Sequence, residues 1–286
     1  MKVRVWLSSL TAMRGTSCGV ALATLASCGH SNPDVRDATA TIDTGAAIDV
    51  TAFRDNDGDG LDDEYETQLA IDYMPFVSFD PNDGCALDGM VVRVRPHPTD
   101  STKVQIVYDH LLEHDCGFGG HIGDDEVFGI TIDPSRPAPA GILAIRAVSH
   151  QNTPCERDSQ CSTCAGDTRP ACDLAADGAT MWPVVYASKD KHGQYATAAQ
   201  CPLLGTCLDQ CTLNAHRVRP PVVNVGEPGH PLVTDLTAQG FITAANGWTE
   251  PSLMSFDPWN PTQNFGGAGN IASDLQDPAF LAATCP

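Results

Sequence analysis

Five short segments of this chain show apolar residues in alternation, and turn-forming residues separate them. A period of two residues is typical of strands that bury one face. The chain also holds 25 glycines and 21 prolines, which favour many turns. We therefore predict a mainly β protein, an antiparallel β-sandwich with short helices. Its strands are expected at Met90–Arg95, Lys103–Leu112, Asp125–Ile132, Gly141–Val148 and Pro183–Ser188.

The cysteines indicate an oxidising compartment. Ten of the twelve follow the N-terminal segment, and an even number in an exported protein predicts up to five disulfides, with the pairing left open. Seven of the ten lie between residues 155 and 211, so we interpret 150–215 as a disulfide-rich insertion with little strand pattern. The alternative is zinc binding by the cysteines at positions 161, 164, 201, 207 and 211.

The N-terminus has the features of a lipoprotein signal peptide. Lys2 and Arg4 precede an apolar segment that is too short to span a bilayer, and Leu25-Ala26-Ser27-Cys28 resembles a lipobox. We predict a signal peptide at 1–27, acylation of Cys28 and a flexible tether of small polar residues at 28–54. This predicts a protein of the bacterial cell envelope that is lipid-anchored to the membrane and faces the periplasm or the exterior. An ordinary secretory signal is the alternative.

The net charge of −20 limits the partners of the chain. A protein this acidic is repelled by nucleic acid and by anionic lipid headgroups, so we expect no nucleic-acid partner. Divalent cations are the natural partners of such a chain.

An Asp-rich segment at 55–66 matches a calcium loop. Asp55, Asp57 and Asp59 stand at loop positions 1, 3 and 5, and Gly60 follows at position 6. The remaining ligands would be the Leu61 carbonyl, Asp63 and Glu66. A helix is predicted over Glu64–Tyr73, ending near Pro75. We expect an isolated Ca²⁺ site that stiffens the junction between the tether and the domain at 67–286.

A second acidic cluster lies in Gly120–Glu126, which leads into the third predicted strand. Strand geometry places Asp124 and Glu126 on one face and Asp125 on the other. His121 stands in a glycine-flanked turn from which it can reach the face of Asp124 and Glu126. One imidazole and two carboxylates favour a hard cation, Mg²⁺, Ca²⁺ or Mn²⁺, over a thiolate-binding ion, and we expect Ca²⁺ or Mg²⁺ as the cofactor. A merely acidic turn is the alternative.

Three motifs resemble the necrosis-inducing, NPP1-like (Nep1-like) proteins. Gly120-His121-Ile122-Gly123-Asp124-Asp125-Glu126 is similar to the family heptapeptide Gly-His-Arg-His-Asp-Trp-Glu, and a segment ending in Asp115 precedes it. Ser188 and His192-Gly193-Gln194-Tyr195 resemble a later family segment, and Phe265–Ile271 resembles a C-terminal one. Tyr73–Pro81 and the His-x-Gly-Asp-x-Glu spacing also resemble Vps62-like proteins, which remain a related alternative.

The resemblance implies a β-sandwich that holds one divalent cation in a surface cavity. Its ligands would be Asp115, His121, Asp124 and Glu126, and His192 would contact the ligand or support the site. In that family the cation helps to bind a sphingolipid sugar headgroup before membrane damage. The heptapeptide's second His is Gly123 here and its Trp is Asp125, so metal binding is implied and cytolysis is not.

Three functions follow from these patterns. The leading prediction is a surface-anchored, divalent-metal-dependent protein that binds a polar ligand such as a glycolipid or glycan. The first alternative is a metal-dependent hydrolase with His121 or His192 as the base. The second is a non-catalytic structural envelope lipoprotein. No serine elbow, phosphate loop or HExxH motif favours a particular reaction, so no catalytic residue is assigned.

Overall fold

The computed structural model describes residues 53–85, 87–151, 153–201, 207–213, 216–240, 256–262, 271–276 and 284–285. The signal peptide, Cys28 and the Phe265–Asn270 part of the third family motif therefore lie outside the described residues, as does nearly all of the tether. Within the described part, no helix is long and apolar enough to cross a membrane.

Strands dominate the described chain, as predicted. Helix α1 (Asp63–Asp72) is followed by β1 (Phe76–Phe79), β2 (Leu87–Pro96), β3 (Val104–His114), β4 (Ile122–Ile132) and β5 (Ile142–Ser149). The next strands are β6 (Arg157–Ser162), β7 (Leu174–Asp177), β8 (Thr180–Ala187) and β9 (Gln194–Tyr195). The last elements are β10 (His216–Val218), β11 (Val222–Asn224), β12 (Gly226–Glu227), β13 (His230–Pro231) and α2 (Ile271–Gln276), with short 3₁₀ turns at Ala198–Gln200 and Leu236–Gln239.

Helix α1 begins directly after its N-cap residue, Asp62. The Asp62 carboxylate accepts hydrogen bonds from the backbone N–H groups of Glu64 and Tyr65, which the first turn leaves without helical partners. Pro75 follows two residues after the cap at Tyr73 and prevents continuation. The observed helix lies one residue earlier than the predicted one.

Two sheets form the sandwich. The larger has the order β11-β2-β3-β4-β5-β6, and the smaller has the order β10-β1-β8-β7, with β9 paired to β8. Most pairs are antiparallel, as predicted, but β1 pairs with β8 and β11 with β2 in parallel. Parallel partners need a long crossover between them, and more than 100 residues separate each of these pairs. Local alternation therefore could not predict them.

The larger sheet is buried on both faces. One face, with Val92, Tyr108 and Phe128, packs against the smaller sheet in the main core. The opposite face, with Val91, Val107 and Val127, packs against a C-terminal layer that includes Trp259, Ile271 and Leu275. Because β3 and β4 lie in the middle of this sheet, nearly all their side chains are enclosed.

The disulfide-rich region 150–215, which was predicted to have little strand pattern, contains more strands than the one predicted at Pro183–Ser188. This region supplies β6 to the edge of the larger sheet and β7, β8 and β9 to the smaller one. Its strands bury residues such as Cys161 and Val184 completely, so the region is part of the sandwich. Alternation is weak there because β6 and β7 are edge strands that bury few apolar side chains.

All ten cysteines of the domain form disulfides, as the even count predicted. The pairs are Cys85–Cys116, Cys155–Cys207, Cys161–Cys172, Cys164–Cys285 and Cys201–Cys211. The zinc alternative is therefore wrong, because no free thiolate remains on the cysteines that it required.

Candidate functional site

Strands β3 and β4 place carboxylates on both faces of the larger sheet. His110 lies opposite Glu126, and Leu112 lies opposite Asp124. These residues share the face that packs against the smaller sheet. Asp109 and Asp125 belong to the other face, since each lies one residue along from this set. The candidate site is built on the first face.

A tight turn between β8 and β9 brings an imidazole to this face. The turn is closed by hydrogen bonds from the Ser188 N–H to the Gly193 carbonyl and from the His192 N–H to the Ser188 carbonyl. Asp190 and His192 both have φ near +60°, a conformation that non-glycine residues rarely adopt. The turn thereby directs the His192 ring inward, where it is fully buried.

His192 lies between two carboxylates. Its Nδ1 is 2.8 Å from an Asp124 oxygen, and its Nε2 is 3.3 Å from an Asp83 oxygen. Burial alone would lower the pKa of His192, but the hydrogen bonds and charges of Asp124 and Asp83 outweigh it and raise the pKa to about 9. This pKa favours the imidazolium form of the ring at neutral pH, in which both ring nitrogens donate.

Glu126 is enclosed beside this pair. Burial, followed by the charges of Asp124 and Asp274, raises the pKa of Glu126 well above its usual value. Its cross-strand partner His110 is neutral, because burial and the charge of His192 lower the pKa of His110 to about 3. The Gln194 amide nitrogen reaches His110 Nδ1 at 3.5 Å.

Asp115 and His121 have other partners. Their backbones pair with each other across the end of the β3–β4 hairpin. The Asp115 carboxylate lies 3.2 Å from the Lys191 ammonium, and His121 Nδ1 lies 2.7 Å from the Gly123 carbonyl. The structure thus brings Asp124 together with His192, while Asp115 and His121 stand at the hairpin tip.

Four groups of ligating side chains have donor atoms within 4.8 Å of one another in the described part of the chain, and none is the predicted quartet. Of that quartet, Asp124 and Glu126 share a face of the sheet, whereas Asp115 and His121 have the partners described above. One of the four groups contains Asp83, Cys85 and His192, but the Cys85 sulfur is bonded to Cys116 and offers no thiolate.

A cavity of about 400 Å³ opens beside His192. Its walls combine apolar side chains with Asp80, Asp83 and His192; the apolar contribution comes from Phe79, Pro81, Cys85, Leu112 and Val218. This volume is within the range of small-ligand sites. Sequence reasoning missed Asp83 and His110. The alternation that selected Glu126 also runs through β3 and could have found His110, but no local signal indicated Asp83.

The predicted calcium loop folds around its acidic residues. The Asp55 carboxylate accepts hydrogen bonds from the N–H groups of Gly58 and Gly60, both with positive φ, and Asp59 accepts one from Leu61. These bonds curl the chain so that the carboxylates converge. Two overlapping groups result, namely Asp55, Asp57 and Asp63, and Asp57, Asp59 and Glu66.

The loop carboxylates are buried without enough donors. Both oxygens of Asp57 and one oxygen each of Asp59 and Glu66 are enclosed and accept no hydrogen bond. Burial followed by the charge of Asp59 raises the pKa of Asp57 to about 6 and that of Glu66 to about 9. The donor set of carboxylates at positions 1, 3, 5, 9 and 12 fits Ca²⁺, which relieves this repulsion.

Comparison with known proteins yields distant structural neighbours. No protein-family model matches the chain, and no curated protein matches it. A solved structure titled "Toxin fold for microbial attack and plant defense" aligns with a TM-score of 0.30 and 18% identity over 57% of this chain and 74% of its own. A second, titled "NLPPya in complex with mannosamine", aligns with a TM-score of 0.31 and 16% identity over 55% of this chain and 72% of its own. Values this low assign no family, so the family remains a prediction from the sequence motifs.

Proposed function

We propose that this chain is a divalent-cation-dependent binding protein that takes a polar ligand of the glycan class in the cavity beside His192. The observation that carries the proposal is the composition of the cavity wall. Phe79 and Leu112 offer an apolar surface for the C–H face of a sugar, and Asp83 offers acceptors for its hydroxyl groups. His192 holds Asp83 in place through its charged hydrogen bond.

The charges of the wall favour a cationic ligand over a neutral one. Asp80, Asp83 and the Asp124 behind His192 supply three carboxylates. The His192 imidazolium and the Lys189 ammonium provide two positive charges, so one negative charge remains. An amino sugar, which carries a protonated amine, is therefore the preferred probe, and a neutral hexose of the same ring shape is its control.

Cations act at two places in this proposal. The loop at 55–66 takes one Ca²⁺ and fixes the start of the domain, while Asp124 and Glu126 hold a second Ca²⁺ or Mg²⁺ beside the cavity. When bound, the second ion would coordinate ligand hydroxyl groups. The chain's own residues position the ligand against the cavity wall.

Attachment to a membrane through an acylated Cys28 completes the proposal. Replacing Cys28 by Ser should release the protein from the membrane fraction, and persistent membrane association would rule out the lipid anchor as the sole attachment. Phe118 lies at the tip of the hairpin loop next to Lys191 and is 85% exposed, which suits contact with a lipid surface if the glycan is a glycolipid headgroup.

The test is calorimetric titration of the full mature chain with glucosamine and with glucose at slightly acidic pH, with calcium present. We expect glucosamine to bind more tightly, and Asp83→Asn to weaken it at least about tenfold, because one charge-assisted hydrogen bond contributes about 1.5–3 kcal/mol. Asp158→Asn, an exposed carboxylate on β6, should leave binding unchanged. Equal affinity for both sugars, or no effect of Asp83→Asn, would contradict the cavity assignment.

Two further variants separate the parts of the proposal. Glu126→Gln should abolish the cation site near the cavity while the 55–66 loop still titrates with calcium. Phe118→Ser should reduce binding to glycolipid vesicles and leave binding of the soluble sugar unchanged.

A further inference from the structure

Three aspartates meet on the face of the larger sheet that points away from the cavity. Asp109 lies on β3, Asp125 on β4, and Asp274 on the short helix α2 of the C-terminal layer. All three are buried, with exposed fractions of 0%, 8% and 4%. Their ligand oxygens lie within 4.8 Å of one another, although 165 residues separate the first from the last.

The oxygens of two of these residues have no donor. Both carboxylate oxygens of Asp109 and both of Asp125 are enclosed and accept no hydrogen bond from any described residue. The side chain of Asp274 lies at hydrogen-bonding distance from that of Asp125, so two acceptors face each other. A buried acceptor without a donor is costly, and natural proteins rarely keep four of them together.

Among the described residues, no basic side chain forms an ion pair with Asp109 or Asp125. Around the trio lie the apolar side chains of the second core, including Leu111 and Val127 from the sheet and Leu275 from α2. Arg93 on β2 is the basic group nearest in register, since Val91, two residues before it, lies opposite Asp109. Its guanidinium is already occupied by the Glu227 carboxylate and the Leu275 carbonyl.

We propose that Asp109, Asp125 and Asp274 form a buried Ca²⁺ site that joins the C-terminal layer to the sheet. Asp109 and Asp125 offer four hard oxygens without a described donor, and Asp274 contributes a ligand oxygen of the same kind. Calcium–oxygen distances of about 2.3–2.6 Å place opposite ligands about 4.6–5.2 Å apart, and the three donors fit within this span. Mg²⁺ suits the place less well, because it retains several waters and the surroundings are apolar.

The bound ion would link parts of the fold that the chain connects only distantly. Ile271 and Leu275 pack into the second core, and the Leu275 carbonyl accepts from Arg93. A cation at Asp274 would add an ionic bond to these contacts. The site is independent of the glycan proposal and of the Asp124 and Glu126 pair, because it lies on the opposite face of the same strands.

The experiment counts bound calcium per full mature chain by equilibrium dialysis. The double variant Asp109→Asn with Asp125→Asn should bind one ion fewer than the wild type, and the Asp158→Asn control should bind the same number. An unchanged calcium count in a double variant that folds, as judged by circular dichroism, would overturn the proposal. The three carboxylates would then be neutralised by protons that they share.

A second measurement needs no change in the trio, should the double variant fail to fold. A chain carrying Asp57→Asn, Asp59→Asn and Glu126→Gln lacks the other two cation positions and should still bind one calcium ion. Terbium in place of calcium should then luminesce through Trp259, which belongs to the same apolar cluster as Leu275. Absence of any bound ion in this chain would overturn the proposal.

Discussion

Carboxylates on the two faces of the β3–β4 pair differ in their hydrogen-bond partners. On the face toward the cavity, Asp124 accepts from the His192 imidazolium, which also binds Asp83. On the far face, Asp109 and Asp125 are equally buried, and no described donor reaches them. The two sets lie on the same strands within a few residues of each other, so burial alone does not explain the difference.

The two faces differ in the hydrogen-bond donors that neighbouring elements bring to them. The β8–β9 turn brings donors to the first face, and the same turn is held by Asp209, which binds Ser188 and Tyr195. The C-terminal layer brings apolar side chains and a third carboxylate to the second face. A face with its own donors is ready to position a ligand, whereas a face without them requires a cation or protons from solution.

Removal of the imidazolium should have the largest effect on this comparison. His192→Ala leaves the buried Asp124 and the half-buried Asp83 without the imidazolium, and breaking a buried ion pair costs about 3–5 kcal/mol. We expect a loss of that size in the free energy of unfolding measured with urea. Lys189→Ala on the same turn, which is partly exposed, should change it by less than about 0.5 kcal/mol. Equal effects of the two variants would mean that the turn, and not the imidazolium, stabilises this face.

The calcium loop provides the corresponding test for carboxylates without donors. At a free calcium concentration 100-fold above the dissociation constant, binding should stabilise the domain by about 2.7 kcal/mol. The Asp57→Asn and Asp59→Asn double variant should lose this contribution, and the exposed Asp72→Asn should keep it. Thermal unfolding with calcium and with a chelator measures both. If calcium did not change the thermal stability of the domain, the buried negative charge of Asp57 would be neutralised by a proton and not by a cation.

Asp209, which holds the β8–β9 turn, makes the stability of the cavity-side face depend on pH. It is buried, which alone would raise its pKa, but hydrogen bonds from His150, Tyr195 and Ser188 lower the pKa below its usual value. Because the folded pKa lies below the unfolded one, the stabilisation is complete above about pH 4 and is lost as the pH falls through the folded value. We expect Asp209→Asn to cost about 2 kcal/mol at pH 7 and progressively less as the pH falls below the usual Asp pKa. A cost that is the same at both pH values would show that packing, not charge, is lost.

How far the sequence predicts these sites depends on the range of the contacts. The faces of Asp124, Asp125 and Glu126 follow from period-two geometry within one strand, and the structure has them so. The loop carboxylates at 55–66 likewise converge because their spacing is local. In contrast, the contact between Asp83 and His192 spans 109 residues and depends on how the two sheets pack.

The family resemblance adds residues that local spacing does not, and its ligand quartet remains a prediction. Asp115 and His121 lie directly across the hairpin from each other, but Lys191 takes the Asp115 carboxylate. The order of the strands, like these long-range contacts, could not be predicted from the sequence. The parallel β1–β8 and β11–β2 pairs join segments that lie more than 100 residues apart in the chain.

The smallest expected effect has the clearest sign. Asp109→Asn replaces one carboxylate of the trio by an amide that can donate to Asp125 or Asp274, which are within reach. Without calcium this variant should be more stable than the wild type by about 1 kcal/mol, the net contribution of one hydrogen bond. With saturating calcium the order should reverse, because only the wild type gains the free energy of binding.

Removing a carboxylate on the other face, as in Asp124→Asn, should destabilise the protein in both conditions, since His192 then loses its partner. Urea unfolding of the two variants with and without calcium measures four differences. If Asp109→Asn destabilised the calcium-free protein as Asp124→Asn does, the two faces would not differ in the supply of donors.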